Sequence, residues 1–342
     1  MLGPIRMRGA YSAISRAKHL SLTRSTKGYI ERIGDDTIVE ASVSTAIVAL
    51  VGGQPLPNLL PIKFYHPPAV ALLYTEKTRH VYERLFQTIK QTTTVTARLV
   101  DPYNINTIEE ELEQCLEPLK SNYQLLFNLT GGTKAMALAA YRVAERYQAE
   151  ILYLESERKK STAYRYQWYN GAFQHQGTED VLANLSLTDM LNVHFGPDGW
   201  QVHGPSQREG GQFEAAIAAA LCQHVDEVMV GVKSSDGQLD IDLVVRVGDQ
   251  WGIIEAKTAK HGNKVTKLDG IKQLSTAGRR LGTYTQQFYV INGDINKTHQ
   301  PLIDTLAINV ITLPEYHPGD QQLTATDAQR LVNEVRRALG NE

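Results

Sequence analysis

The chain has 342 residues, a formal net charge of −2, and 42% hydrophobic residues. This length suits two domains that each bury a core, and no apolar run approaches the ~18 residues of a membrane-spanning helix. Two cysteines do not make a disulfide scaffold and favour a reduced, cytoplasmic location. Because the net charge is close to zero, any contact with a polyanion must come from local basic patches.

The first segment, residues 1–44, is basic: six Lys and Arg residues precede its first acid, Glu31. Such a composition superficially suggests a transit peptide or a nucleic-acid-binding arm. We interpret it instead as a poorly ordered extension, or as the product of a misplaced start codon.

The next segment, residues 45–176, alternates apolar strands with amphipathic helices, which predicts a mostly parallel α/β sheet. Arg165 to Tyr169 and the following Asn170-Gly171 turn predict a closing hairpin. The predicted strands and helices that precede this hairpin are 45–51, 70–74, 78–89, 95–100, 108–119, 123–129 and 150–154.

A glycine-containing run, Asn-Leu-Thr-Gly-Gly-Thr-Lys at 128–134, joins one of these strands to a helix. Glycines let a ligand approach the backbone, and the free N–H groups of a helix start attract anions. The run has neither the P-loop spacing nor the dinucleotide-binding spacing, which disfavours an ordinary ATPase or dehydrogenase. The alternative interpretation is a plain strand-to-helix turn in which Thr133 caps the helix.

A second loop, Gly-Gly-Gln-Pro-Leu-Pro-Asn at 52–58, follows the first strand of this segment. In a doubly wound sheet the ligand crevice lies outside the carboxyl ends of the strands. Both loops are therefore predicted to line one pocket.

These two loops resemble the ligand loops of CARF domains, the Rossmann-like sensors of cyclic oligoadenylates in type III CRISPR defence. The resemblance implies a cyclic oligoadenylate site. Its implied residues are Gln54, Pro55, Asn58, Asn128, Thr130, Gly131, Gly132, Thr133 and Lys134.

A connecting segment is expected at 177–207, with a helix around 187–193 and several Gly and Pro breakers. A second domain is expected at 208–342. Its predicted late elements are strands at 287–291 and 308–312 and a closing helix that begins with Thr326 as N-cap and ends at Leu339.

Two strands of the second domain carry the most informative residues. Gln250 to Thr258 delivers Glu255 and Lys257 to one face of a strand, because residues two apart share a face. A hairpin at 247–250 would bring Asp240 of the preceding strand beside them. Carboxylate oxygens suit Mg²⁺ or Mn²⁺, and an ammonium beside the attacking water can offset charge that develops on a phosphate.

Two further acids bear on this site. Glu214 lies in the first turn of a predicted helix and is a candidate third carboxylate. Asp242 shares a face with Asp240; we favour Asp240 as the principal ligand and leave Asp242 as an outer one. An isolated Glu-x-Lys is more often a solvated ion pair, so the strand context and the preceding Asp are what favour a site.

The ordered set resembles the PD-(D/E)xK nuclease superfamily, which implies a restriction-endonuclease-like α/β domain. The resemblance implies a catalytic set of Glu214, Asp240, Glu255 and Lys257. It also implies that Mn²⁺ or Mg²⁺ is held by Glu214, Asp240, Glu255 and Ala256.

A basic strip follows this motif, and it is interpreted as contacting phosphates or, alternatively, as an ordinary solvated helix face. Its members are Lys257, Lys260, His261, Lys264, Lys267, Lys272, Arg279 and Arg280.

Together the two halves resemble the CRISPR ancillary nucleases of type III systems, in which a CARF sensor is fused to a PD-(D/E)xK nuclease. The resemblance implies a homodimer activated by cyclic tetra-adenylate that cuts DNA, single-stranded RNA or both, with no membrane partner. Two alternatives stay open: a ligand-gated nucleic-acid-binding regulator with a degenerate nuclease site, and a constitutive restriction-type DNase.

Overall fold

The computed structural model describes residues 29–32, 38–41, 44–157, 160–207, 210–258, 269–295 and 297–340. These residues fall into two compact units, 1–43 and 44–342. In the first unit, β1 (Tyr29–Arg32) and β2 (Ile38–Ala41) pair as antiparallel strands. The rest of the predicted basic extension lies outside the described residues.

The second unit begins with a seven-stranded sheet in the order β5-β4-β3-β6-β7-β8-β9. Its first five strands are parallel, and β8 and β9 add an antiparallel hairpin. Its elements are β3 (Thr45–Leu50), α1 (Leu56–Tyr65), β4 (Ala69–Tyr74), α2 (Arg79–Ile89), β5 (Thr94–Leu99), α3 (Ile105–Leu116), β6 (Gln124–Asn128), α4 (Lys134–Arg146), β7 (Glu150–Glu157), β8 (Lys160–Tyr169) and β9 (Ala172–Asp180).

A six-stranded sheet follows in the order β10-β11-β12-β13-β14-β15. Strands β10 to β13 are antiparallel, whereas β13, β14 and β15 are parallel. Its elements are α5 (Leu187–Phe195), β10 (Trp200–Val202), α6 (Gly211–Leu221), β11 (Glu227–Ser234), β12 (Asp240–Val247), β13 (Gln250–Lys257), α7 (Asp269–Leu281), β14 (Thr285–Ile291), α8 (Gln300–Thr305), β15 (Asn309–Thr312) and α9 (Ala325–Leu339). No described helix is long and apolar enough to cross a membrane.

Two local expectations need correction. The run after Gly53 does not stay a loop, because α1 begins at Leu56 and its second residue, Pro57, needs no hydrogen-bond donor at a helix start. The closing helix is capped by Thr324 rather than Thr326: the Thr324 side chain accepts a hydrogen bond from the Asp327 N–H. The expected domain boundary at residue 176 stays a prediction; it lies within β9 (Ala172–Asp180).

Helix α5 joins the two sheets of the second unit. The Lys63 ammonium on α1 lies 2.8 Å from the Asp189 carboxylate on α5. On the other side, Asp249 in the β12–β13 turn accepts hydrogen bonds from the N–H groups of Ala183 (2.6 Å) and Leu185 (3.0 Å). One buried hydrophobic cluster runs through both sheets, so the two halves share a core.

Helix α7 reaches both candidate sites. Near its start, a Cβ built on Gly270 would lie 3.3 Å from Lys257 Cε. Just past its end, Gly282 has φ +85°, and a Cβ there would lie 2.0 Å from Oε1 of Gln54 in the first loop. The Gln54 amide therefore occupies the space that a side chain at position 282 would need.

We expect Gly282→Ala to cost more unfolding free energy than Gly171→Ala, measured by chemical denaturation. Gly171 has φ +77°, and no described atom beyond its chain neighbours lies within 4 Å of its built Cβ, so that variant reports the backbone cost alone, about 1–2 kcal/mol. Gly282→Ala must also push the Gln54 amide off its rotamer, at about 1 kcal/mol more. This excess should vanish in a Gln54→Ala background; equal losses at both glycines in the wild-type background would contradict the contact.

Candidate functional sites

The first candidate site lies at the carboxyl ends of β3 and β6. The chain runs from β3 outward to β5 and then returns to place β6 on the other side of β3, so the strand order reverses between β3 and β6. That switch point is where doubly wound sheets bind ligands. The parallel pair Ala49 and Asn128 sets the two following loops side by side, as the sequence predicts.

The two loops touch through their backbones. A Cβ on Gly131 would lie 2.1 Å from the Leu50 carbonyl oxygen, and one on Gly52 would lie 3.1 Å from the Gly132 nitrogen. Gly132 also has φ +75°, a conformation that favours glycine. The glycines are thus required by the close packing of the loops themselves, a reason that the sequence pattern did not reveal.

Two of the predicted ligand residues are internal. Asn58 is 0% exposed and Asn128 is 1% exposed. The Asn128 amide donates to the Pro57 carbonyl (2.8 Å) and to Asn58 Oδ1 (3.2 Å), and the Asn58 amide donates to the Leu50 carbonyl (2.9 Å). Their side chains therefore clamp the two loops together and offer no surface atom to a ligand in this conformation. Pro55 is buried beside them.

The two threonines are also engaged. Thr130 donates to Asn128 Oδ1 (2.6 Å) and accepts from the Leu154 N–H (2.7 Å). Thr133 accepts from the Met136 N–H (3.2 Å), which makes it the N-cap of α4, and donates to the Pro102 carbonyl (2.6 Å). The capping role left open by the sequence is therefore present.

Fewer of the predicted ligand residues are exposed at the surface of the crevice. Lys134 and Gly132 are exposed at the start of α4, and Gly53 is exposed on the facing loop. Lys134 has no salt-bridge partner within the described part of the chain. Its free ammonium and the amides at the α4 N-terminus suit a phosphate-bearing ligand.

The second candidate site lies on β12 and β13, which meet at a two-residue turn, as predicted. Their antiparallel register pairs Leu243 with Ile254. One step further along both strands sets Asp242, and not Asp240, opposite Glu255. The Asp242 carboxylate also accepts a hydrogen bond from the Ala256 N–H (2.8 Å), which fixes its position.

Three charged groups converge there. Lys257 Nζ lies 2.6 Å from Glu255 Oε1 and 3.7 Å from Asp242 Oδ2. The Glu255 side chain is 2% exposed and that of Asp242 is 14% exposed. Although Glu255 Oε1 is this close to the ammonium, the angles are not those of a hydrogen bond, so this buried oxygen has an ionic neighbour but no hydrogen-bond donor among the described residues.

Burial shapes the proton affinities of the three groups. Burial, and then the charge of Asp242, raises the pKa of Glu255; burial also raises the pKa of Asp242. Burial alone would lower the pKa of Lys257, but Glu255 and Asp242 outweigh it and raise that pKa, so the ammonium stays charged. With both carboxylates ionised, the site would hold more negative charge than one lysine neutralises, and this excess adds to burial in raising the pKa of Glu255.

The other predicted residues surround this group. Glu214 is buried on α6, where it accepts from the Ser206 N–H (2.9 Å); burial, with a smaller contribution from Asp242, raises its pKa. Asp240 instead pairs with Lys233 (2.8 Å) and its side chain is 53% exposed. The geometry therefore favours Asp242 over Asp240 as the carboxylate that works with Glu255. The sequence pattern favoured Asp240, but because both acids lie on the same face, it could not show which of them meets Glu255.

The basic strip is only partly described. Lys260, His261, Lys264 and Lys267 lie outside the described residues. Lys272 and Arg279 are exposed on α7. Arg280 pairs with Asp236 (2.9 Å), so its charge is already partnered within the fold.

The residues present fit a hard divalent cation. Among the described residues no three His, Cys, Asp or Glu side chains form a ready-made cluster. Mg²⁺ and Mn²⁺, however, are commonly held by one or two carboxylates together with waters and substrate phosphates. Asp242 and Glu255 supply such oxygens, and Oε1 of Glu255 is buried without a hydrogen-bond donor among the described residues. Glu214 lies close enough to be affected by the charge of Asp242.

Residues 46–189 match the Card1 CARF domain family. The N-terminal domain is a CARF domain. The match covers less than half of the chain and includes both loops of the crevice. The match confirms the fold expected for the N-terminal half. In the chain, this CARF domain precedes a second α/β domain.

Solved structures share the fold of nearly the whole chain. Can2 from Sulfobacillus thermosulfidooxidans, determined in complex with cyclic tetra-adenylate, matches with a TM-score of 0.64 and 17% identity over 86% of this chain and 99% of that chain. Protein VC1899 from Vibrio cholerae matches with a TM-score of 0.64 and 13% identity over 87% and 99%. A type III CRISPR defence DNA nuclease activated by cyclic oligoadenylate matches with a TM-score of 0.58 and 16% identity over 92% of this chain and 54% of that chain. No curated protein matches the chain significantly.

We expect Gly131→Ala to destabilise the CARF domain by about 3 kcal/mol or more, because its Cβ would collide with the rigid Leu50 carbonyl rather than with a flexible side chain. The matched control is Gly53→Ala, whose Cβ meets no described atom within 4 Å beyond its chain neighbours and which should change stability by no more than about 0.5 kcal/mol. Both are measured as the midpoint and slope of urea unfolding. A Gly131→Ala protein as stable as the control would show that the loops are not in backbone contact.

Proposed function

We propose that this protein is a cyclic tetra-adenylate-activated, metal-dependent nuclease of type III CRISPR defence that acts in the cytoplasm on DNA, single-stranded RNA or both. The observation that carries the proposal is the convergence of Asp242, Glu255 and Lys257 on two neighbouring strands, in a chain that also contains a CARF domain. A buried excess of carboxylates with one ammonium is costly to a fold and is typical of a site that binds a cation.

The residues divide the chemistry between them. Asp242 and Glu255, with Glu214 nearby, would hold Mn²⁺ or Mg²⁺, which when bound supplies a more acidic water and a positive charge for the phosphate. Ala256 contributes its N–H, which orients Asp242. Lys257 is held by both carboxylates and stays charged, so its ammonium is positioned to offset charge that develops on the phosphodiester.

The sensor part of the proposal rests on the crevice between β3 and β6. Lys134 and the α4 N-terminus supply charge and donors for phosphates, while Asn58 and Asn128 keep the two loops in place. The structure of Can2 with cyclic tetra-adenylate supports this choice of ring. The ring can activate the protein only if it binds the active arrangement more tightly than the inactive one.

A homodimer that shares one ring across two CARF domains is part of the same proposal. Large apolar side chains are exposed at the carboxyl edge of the sheet, beside the crevice. Tyr103 is 78% exposed, Leu138 on α4 is 57% exposed and Tyr153 on β7 is 49% exposed. Such side chains favour a second copy of the chain at this edge.

The deciding experiment is a cleavage assay with Mn²⁺ on labelled single-stranded DNA, supercoiled plasmid and single-stranded RNA, with and without cyclic tetra-adenylate or cyclic hexa-adenylate. We expect cutting only with cyclic tetra-adenylate, and a higher ring concentration for half-activation in Lys134→Ala. Cutting without any ring would indicate a constitutive DNase. Ring binding without any cutting would indicate the nucleic-acid-binding regulator.

Asp242→Asn should lower the cleavage rate by more than about 100-fold, because it removes a carboxylate that faces Glu255. The matched control is Asp240→Asn on the same strand face, which should keep most of the activity, since Asp240 is paired with Lys233. Both variants should bind the ring as the wild type does, by calorimetry. The reverse ranking of the two rates would restore Asp240 as the principal carboxylate.

A further inference from the structure

Tyr289 on β14 is a buried polar residue beside the nuclease site. The parallel register pairs it with Glu255, so the two side chains lie on the same face of the sheet. It is 1% exposed, and its hydroxyl has no hydrogen-bond partner in the described parts of the chain. A buried hydroxyl left without a partner costs about 1–3 kcal/mol.

The hydroxyl and the side chain of Lys257 both lie against Gly270 of α7. A Cβ built on Gly270 of α7 would lie 3.3 Å from the Tyr289 hydroxyl oxygen and 3.3 Å from Lys257 Cε, so both groups meet beneath the first turn of this helix. Burial is the main cause that raises the pKa of Tyr289; the charge of Lys257 acts to lower this pKa, and the charges of Glu255 and Asp242 act to raise it. The ring of Tyr289 is part of the buried hydrophobic cluster, while its hydroxyl borders the same residue of α7 as the Lys257 side chain.

Packing does not explain the hydroxyl. The neighbouring residue Phe288, which points to the other face of the sheet, is 0% exposed and fills its core without a polar atom. A phenylalanine at 289 would keep the same ring in the same place. A buried polar group without a hydrogen-bond partner needs an explanation, and one explanation is that it finds its partner in another state of the protein.

The partner that can satisfy it is the Lys257 ammonium. In the described arrangement Lys257 Nζ is 2.6 Å from Glu255 Oε1. When Glu255 turns its oxygens to a cation, the ammonium loses part of this interaction. Because the Lys257 side chain is 39% exposed, the ammonium then keeps one position only if a protein acceptor competes with water for it. A phenol oxygen accepts hydrogen bonds, and that of Tyr289 is the neighbouring one without a partner.

We propose that Tyr289 is a positioning residue: its hydroxyl accepts a hydrogen bond from Lys257 when Glu255 engages a divalent cation, and so holds the ammonium in place for the reaction. This inference rests on the proposed nuclease function. It assigns to Tyr289 no contact with the nucleic acid.

The test compares Tyr289→Phe with Tyr316→Phe in the full-length protein. Tyr316 is equally buried, at 1% exposure, but its hydroxyl donates to the Asp320 carbonyl (3.0 Å) away from the site. Without metal, Tyr289→Phe should unfold at the wild-type denaturant concentration or higher, whereas Tyr316→Phe should unfold at a lower one. With Mn²⁺ alone as the probe, the concentration that gives half of the thermal stabilisation should rise about 3- to 10-fold in Tyr289→Phe and stay unchanged in Tyr316→Phe.

Cleavage gives a separate readout. With ring and Mn²⁺ at saturation, kcat of Tyr289→Phe should fall about 10- to 100-fold while KM for the nucleic acid changes less than about 3-fold. A Tyr289→Phe protein with wild-type kcat and wild-type Mn²⁺ dependence would overturn the inference. So would a loss of metal-free stability equal to that of Tyr316→Phe, since it would show a satisfied, structural hydroxyl. A wild type that cuts nothing would overturn the proposed function, and the Mn²⁺ comparison would still decide the role of Tyr289.

Discussion

One ammonium between two buried carboxylates is the constraint on which the C-terminal domain depends. Asp242 and Glu255 lie opposite each other in the middle of a sheet, where like charges are costly, and among the described residues only Lys257 forms an ion pair with them. The Ala256 N–H secures one carboxylate, and α7 covers the lysine. The surrounding strands are apolar, so they cannot relieve the excess charge. This arrangement is the basis of the cation site that we propose.

In the CARF domain, neutral polar groups hold the candidate site in place. Its two loops are held by a chain of amide hydrogen bonds from Asn128 through Asn58 to the Leu50 carbonyl, all without exposure to water. Buried and fully satisfied networks of this kind make loops rigid. The free donors and the charge of Lys134 are thereby presented on a fixed frame, so a ligand need not order the loops when it binds.

Much of the fold follows from local patterns in the sequence. Apolar runs and glycine turns located β3, β6, β12, β13 and their loops, and the Gly248-Asp249 turn fixed the hairpin. What the pattern could not give is register. Asp240 and Asp242 share a face, and only the pairing of Leu243 with Ile254 decides which one meets Glu255. The Asn58 side chain likewise points inward because α1 starts at Leu56. The sequence pattern does not reveal this helix start, because prolines lie on both sides of Leu56. Tyr289 is distant in sequence from Glu255, and only the parallel pairing of β13 with β14 brings them together.

The length of α7 is a consequence of its two neighbours. The second residue of the helix, Gly270, lies beside Lys257, and Gly282, which follows the helix, lies beside Gln54. The helix has 13 residues and is about 20 Å long. One inserted or deleted residue would turn one end by about 100° relative to the other and shift it by about 1.5 Å. Either Lys257 or the loop that carries Gln54 would then face the wrong side of the helix. The helix therefore tolerates changes of side chain far better than changes of length, and natural variants of this protein should keep the spacing of these two glycines even where the residues between them differ.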